Sequence, residues 1–152
     1  MNHGWTGAIV AALITAGGAA VAFFVAANVN AAVLTSWDLG FWGFALILAA
    51  MGSNGAFVLC FAIAVVADPL LRHLPASMSD TARSWMGGAF VAVAATGIAF
   101  LVATVLRGFW LWWPTCVATS VAAGVVYVFA IRIRRAANRS KPNPWLATTP
   151  PF

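Results

Sequence analysis

The feature that most limits how this chain can fold is the stretch from Gly108 to Arg135. It opens with Gly108-Phe109-Trp110-Leu111-Trp112-Trp113-Pro114, carries no charge until Arg132, and ends on Arg132, Arg134 and Arg135. An aromatic girdle, an apolar run of roughly 20 residues and a cationic stop are what a bilayer-crossing helix needs. Three other runs match it: Gly7 to Leu34, Phe41 to Ala67 and Trp85 to Leu106. The predicted class is an all-α integral membrane protein whose four transmembrane helices, at about 7–34, 41–67, 85–106 and 110–133, form two antiparallel hairpins. They make one domain over residues 1–135, followed by a tail over 136–152.

Composition excludes the soluble alternative. Hydrophobic residues make up 63% and charged residues 7%, whereas a soluble domain carries about a quarter of its residues charged. Glu and Gln are absent, and Asp38, Asp68 and Asp80 are the acidic groups. The net charge of +5 could suggest nucleic acid, but the cations sit beside apolar spans. They read as orientation signals and as attraction to anionic lipid, so lipids are expected partners and nucleic acid is not.

The connections are short. The first run is too long, and too poor in preceding cations, to be a secretory signal peptide, and it is expected to fray near Asn28 and Asn30. Thr35 to Gly40 leaves room only for a tight turn. Asp68-Pro69 is expected to stop the second helix, since proline disfavours the helical conformation in the residue before it, with Asp68 capping a short segment. Pro75 to Ser84 forms the longest connection, where Asp80 is expected to cap and to pair with Arg83. Pro114 falls in the first turn of the fourth helix, where a missing amide hydrogen matters little.

Four spans put both termini on one face. That face holds Arg72, Arg83, Arg132, Arg134, Arg135, Arg139 and Lys141, against Arg107 on the other. The positive-inside rule then predicts a plasma (bacterial inner) membrane protein with both termini cytoplasmic. Trp37, Trp42, Trp110, Trp112 and Trp113 would mark the outer interface, and Trp5 and Trp85 the inner one.

Two patterns concern packing. Gly40-Phe41-Trp42 returns as Gly108-Phe109-Trp110, Val58 as Val126 and Phe61-Ala62-Ile63 as Phe129-Ala130-Ile131, while Gly17-Gly18-Ala19 returns as Gly87-Gly88-Ala89. Either the chain is a parallel internal repeat of two hairpins, or an alphabet rich in alanine and aromatics has produced the matches by chance. Small residues also recur every fourth position: Ala12, Ala16, Ala20; Ala45, Ala49, Ser53; Gly88, Ala92, Thr96; Ser120, Gly124. Such rows let helix backbones approach closely in lipid. They offer more faces than four spans can use on one another, which predicts other integral membrane subunits as partners.

Catalytic chemistry finds little support. His3 and His73 lie outside the span interiors, which argues against haem ligation by this chain. No carboxylate pair suits acid–base work, and Cys60 and Cys116 are expected at different depths, too far apart for a disulfide and too few for a metal site. The chain is therefore read as no enzyme and as binding no cofactor alone; haem or quinone would enter only through partner subunits. The notable polar group within a span is Ser53-Asn54, which either ties helices together or touches a ligand. No ionisable group is expected at membrane depth, which weakens the case for a coupled transporter.

The tail carries Arg139, Lys141 and four prolines, with Trp145, Leu146 and Phe152 as apolar anchors, and is expected to be extended. Its order of outgoing helix, arginine cluster, Asn143-Pro144-Trp145, Ala147-Thr148-Thr149 and Pro150-Pro151 resembles the C-terminal end of subunit I of haem–copper terminal oxidases. The resemblance covers the tail alone, lacks that family's acidic-aromatic segment, and is not accompanied by its helix-borne histidine ligands. It implies a small subunit docked on a respiratory oxidase, with Asn143, Pro144, Trp145 and Phe152 as the partner-docking tail. The expected function is thus a non-catalytic accessory subunit of a larger membrane complex, which the resemblance implies to be a respiratory electron-transfer (terminal oxidase) complex. The alternative is a small stand-alone or self-associating transporter or channel.

Overall fold

A computed structural model describes residues 3–35, 39–75, 77–105 and 112–139. Its elements are α1 (His3–Thr35), α2 (Leu39–Arg72), α3 (Asp80–Val105) and α4 (Trp113–Arg139). Each helix is long and apolar enough to cross a membrane, so the chain has an all-α, four-helix membrane fold.

Several helix ends differ from expectation. α1 runs through Asn28 and Asn30 to Thr35 without fraying, with the Asn28 side chain donating back to the Phe24 carbonyl at 2.7 Å. α2 does not stop at Asp68-Pro69; it carries Pro69 inside the helix and ends at Arg72. The preference of a pre-proline residue is a bias that surrounding contacts can override, and Asp68 is held by two of them, described below. α3 starts at Asp80, ahead of Trp85, and the cap is Ser79, whose hydroxyl accepts from the Ala82 amide at 3.2 Å. Pro114 does fall in the first turn of α4, and α4 continues to Arg139, so Ala136 to Arg139 are helical rather than extended. Residues 36–38 and 106–111, with Trp37, Trp110 and Arg107, lie outside the described residues, as do Lys141 and the rest of the tail.

The helices are arranged in the cyclic order α2, α1, α4, α3. α1 packs against α2 and α4, α3 packs against α4, and α2 meets α3 less extensively. α1 and α4 run antiparallel: Gly7 sits against Arg134, Gly18 against Val126, and the Thr115 hydroxyl lies 3.5 Å from the Ala26 carbonyl.

The small-residue rows are where the helices touch. Ala12, Ala16, Ala45 and Ala49 are each at most 2% exposed. α3 and α4 come close enough that a methyl group added at Gly88 would lie 2.6 Å from the Gly124 carbonyl oxygen. Most polar side chains in the spans satisfy themselves on their own helix. Thr15, Ser84, Thr96, Thr119 and Ser120 each donate to the carbonyl four residues back.

The matching glycine pairs are not used alike. Gly18 faces Val126, in the other hairpin, whereas Gly88 faces Gly124, in its own.

The Gly88 contact predicts a sharp asymmetry. Gly88→Ala should destabilise the bundle by about 1–3 kcal/mol, the range for overfilling a packed site. Gly97→Ala, where an added Cβ meets nothing within 4 Å, should leave stability unchanged or raise it by up to about 1 kcal/mol, because alanine loses less backbone freedom in a helix. Reversible unfolding in mixed detergent micelles measures both.

Candidate functional site

Ser53 and Asn54 do not form the interhelical tie expected of them. The Ser53 hydroxyl donates to the Ala50 carbonyl at 2.8 Å, and the Asn54 amide donates to the same oxygen at 3.1 Å. Asn54 is exposed on the surface of the bundle.

Close by, all four helices border a cavity of about 290 Å³. Phe23, Gly52, Gly55, Ala56, Ala95 and Ala99 form much of its wall. It lies along the seam between α2 and α3, toward the end opposite the arginines. Cys60 and Cys116 both border it, so the fold brings to one cavity two residues whose chain positions suggested different depths. Both are free thiols. No cluster of three or more His, Cys, Asp or Glu side chains suited to a metal occurs among the described residues.

The densest polar constellation lies at the other end. Asp68 is 13% exposed and accepts two charge-assisted hydrogen bonds, each 2.8 Å, from Arg72 one turn on and from Arg134 of α4. Asp68 is therefore not a cap. The Arg72 bond has the carboxylate on the N-terminal side of an i,i+4 pair, the favourable order on a helix, but Arg72 is more than half exposed and contributes little. Arg134 is 22% exposed and does more, because α2 and α4 lie diagonally across the bundle. Its guanidinium reaches Asp68 over Gly7 of α1, where a side chain would collide with it.

Arg135, one residue on and about 100° around the helix, turns to α3. It donates to the Asp80 carbonyl at 2.7 Å and to Ser84 Oγ at 3.2 Å, with the Asp80 carboxylate at 3.6 Å. Asp80 thus pairs with Arg135 rather than with Arg83. Arg83 instead donates to the Pro75 carbonyl at 2.9 Å, and its Nε is buried without a partner. Together with Leu71 and Ile131, Asp68, Arg72, Arg83, Arg134 and Arg135 border a pocket of about 220 Å³ between α2, α3 and α4.

Beside this pocket, Tyr127 is 1% exposed and its hydroxyl has no hydrogen-bond partner. Its ring and the Leu71 side chain both close on Gly87, and it lies within electrostatic reach of Asp68, Arg134 and Arg135. Arg132 lies on another side of α4, its guanidinium carbon 5.8 Å from the Trp85 ring centroid.

Such an arrangement is suited to anions. Guanidinium groups stay charged and present planar forks of donors that match carboxylate and phosphate geometry. The sequence exposes this site only in part. Asp68 followed by Arg72 is a visible i,i+4 pair, but the bond to Arg134 joins residues 66 apart in the chain and no local spacing announces it. Asn143, Pro144, Trp145 and Phe152 lie outside the described residues.

The chain matches no protein-family model, no curated protein and no solved structure.

Removing one partner of a fully buried ion pair costs about 3–5 kcal/mol. For the partly buried Asp68–Arg134 pair, Asp68→Asn is expected to cost about 1–3 kcal/mol. The double variant Asp68→Asn, Arg134→Gln should lose less than the sum of the two single losses, by at least about 0.5 kcal/mol. A double-mutant cycle of unfolding free energies reads this directly; strict additivity would show that the two groups are not coupled.

Proposed function

We propose that this chain is a non-catalytic subunit of a larger membrane protein complex, meeting its partner through the seam between α2 and α3. The observation that carries this reading is the uneven burial of the four spans. In their most apolar windows, 39% of α1 and 50% of α4 are buried within the chain, against 17% of α2 and 22% of α3. The α2–α3 side also holds the features that favour helix association in lipid. Gly52, Gly55, Ala56, Ala95 and Ala99 keep the cavity wall low, so another backbone can come close. The Asn54 amide faces outward nearby with one donor used on its own helix, and a partner helix offering a polar group would satisfy the rest of it.

The excess of Lys and Arg at one end supports an orientation with both termini cytoplasmic. The tail resemblance suggests a respiratory oxidase as the partner, which haem absorbance in the purified complex would identify.

Mild extraction of the tagged chain tests the reading. The chain should migrate in an assembly well above its own 15.9 kDa, and Gly55→Leu should release it. Gly55 borders the cavity and an added Cβ there meets nothing within 4 Å, so the monomer should fold as before. Gly97→Leu, also in open space but away from that cavity, should leave the assembly intact. A chain that always migrates alone refutes the proposal, and solute flux in liposomes holding only this protein would replace it with the transporter reading.

A further inference from the structure

We propose that the arginine pocket at the inner ends of α2, α3 and α4 is a binding site for one phosphate-bearing anion, drawn either from an anionic phospholipid headgroup or from free phosphate. The argument starts from charge. Arg72, Arg83, Arg134 and Arg135 border the pocket with Asp68, and Asp80 stands beside Arg135. Four guanidiniums less two carboxylates leaves a charge of +2 around one cavity.

That excess is not spread evenly. Asp68 is engaged by Arg72 and Arg134, and Asp80 by Arg135. Arg83 has no carboxylate partner among the described residues. It spends one N–H on the Pro75 carbonyl, and its Nε is buried with nothing to donate to. A guanidinium cannot relieve this by losing its proton, so a buried donor of a charged group stands unsatisfied, which folded proteins rarely tolerate.

Size and position agree with a phosphate group. The cavity of about 220 Å³ far exceeds the about 10–15 Å³ that a single water needs. A phosphate brings several acceptor oxygens, able to take donors from more than one guanidinium at once. The pocket lies where the apolar spans end, at the level of Trp85 and its stacked Arg132, which is the depth of headgroups. Basic pockets between transmembrane helices suit acidic headgroups for this reason. The site is at the opposite end of the bundle from the cavity assigned to partner docking, and neither proposal depends on the other.

The test uses the full-length chain in detergent, with native mass spectrometry and thermal unfolding as readouts. Phosphatidylglycerol, phosphatidylcholine, inorganic phosphate and chloride at matched ionic strength are the probes. A phosphatidylglycerol adduct of one lipid per chain, with a raised unfolding midpoint and no equal effect of phosphatidylcholine, assigns the site to a lipid headgroup. Stabilisation by inorganic phosphate beyond chloride, without lipid selectivity, assigns it to free phosphate. Arg83→Gln should weaken the bound species about tenfold, the size of one charge-assisted hydrogen bond, and Arg83→Lys less. Arg132→Gln should leave binding unchanged.

Equal behaviour of phosphatidylglycerol and phosphatidylcholine together with equal behaviour of phosphate and chloride overturns the proposal. So does wild-type binding by a folded Arg83→Gln chain, or an equal loss in Arg132→Gln, which would mean diffuse cationic attraction. Should Arg83→Gln fail to fold, the comparison of Arg83→Lys with the wild type decides.

Discussion

Apolar helices gain little hydrophobic free energy by meeting inside a bilayer, because lipid chains are as apolar as the side chains they replace. What joins them is close contact between backbones, and the rest of this fold depends on that constraint. The buried set is accordingly dominated by alanine, with Tyr127, Val91 and Val128 as the largest fully buried side chains. The Gly88–Gly124 approach brings α3 and α4 together, and the alanines of α1 serve two neighbours. A helix in such a bundle is held by the length of smooth face it can share, and α2 and α3 share the least with each other among adjacent helices.

The arginine end supplies what the smooth faces lack. Arg134 and Arg135 are adjacent in the chain, yet the helical turn sends one to Asp68 on α2 and the other to Asp80 and Ser84 on α3. One dipeptide thereby links three helices. Placement at the end of the spans is what makes this affordable: partly exposed side chains keep some hydration, whereas a carboxylate at mid-bilayer would lose nearly all of it. The arrangement uses two carboxylates on three arginines and leaves Arg83 with a backbone carbonyl alone, so the same cluster that ties the bundle also holds unspent cationic character.

The number of helices, their type and their hairpin pairing were legible in the sequence because apolar run length and small-residue spacing are local signals. The start of α3 was misplaced for a local reason as well. Asp80 is a sensible cap by residue type, but Ser79 does the capping, and the helix begins in a polar stretch that reads as loop. Beside Asp68 the local proline signal argues for a stop, but its partner on α4 arrives only on folding, and with it the helix runs through Pro69. The pocket itself was not legible. Arg83 and Tyr127 become notable only once their neighbours are known to leave a buried nitrogen and a buried hydroxyl without acceptors. Ser53-Asn54 was visible as polar, but its direction around α2 was not.

The location of the polar cluster also decides where the bundle stays open. α2 is joined to α4 through Asp68 and to α3 through Leu71 against Gly87, and both contacts lie at the arginine end. Farther along, Gly52, Gly55, Ala56, Ala95 and Ala99 stand among Leu59, Ile98 and Val102 on the walls of the seam, and a cavity of about 290 Å³ remains. Larger side chains there would have closed the seam and removed the cavity. Small ones keep it shallow-walled, while α2 is held by its long face against α1 and by the ionic end. Closure at one end and openness at the other are thus two results of one distribution of side chains.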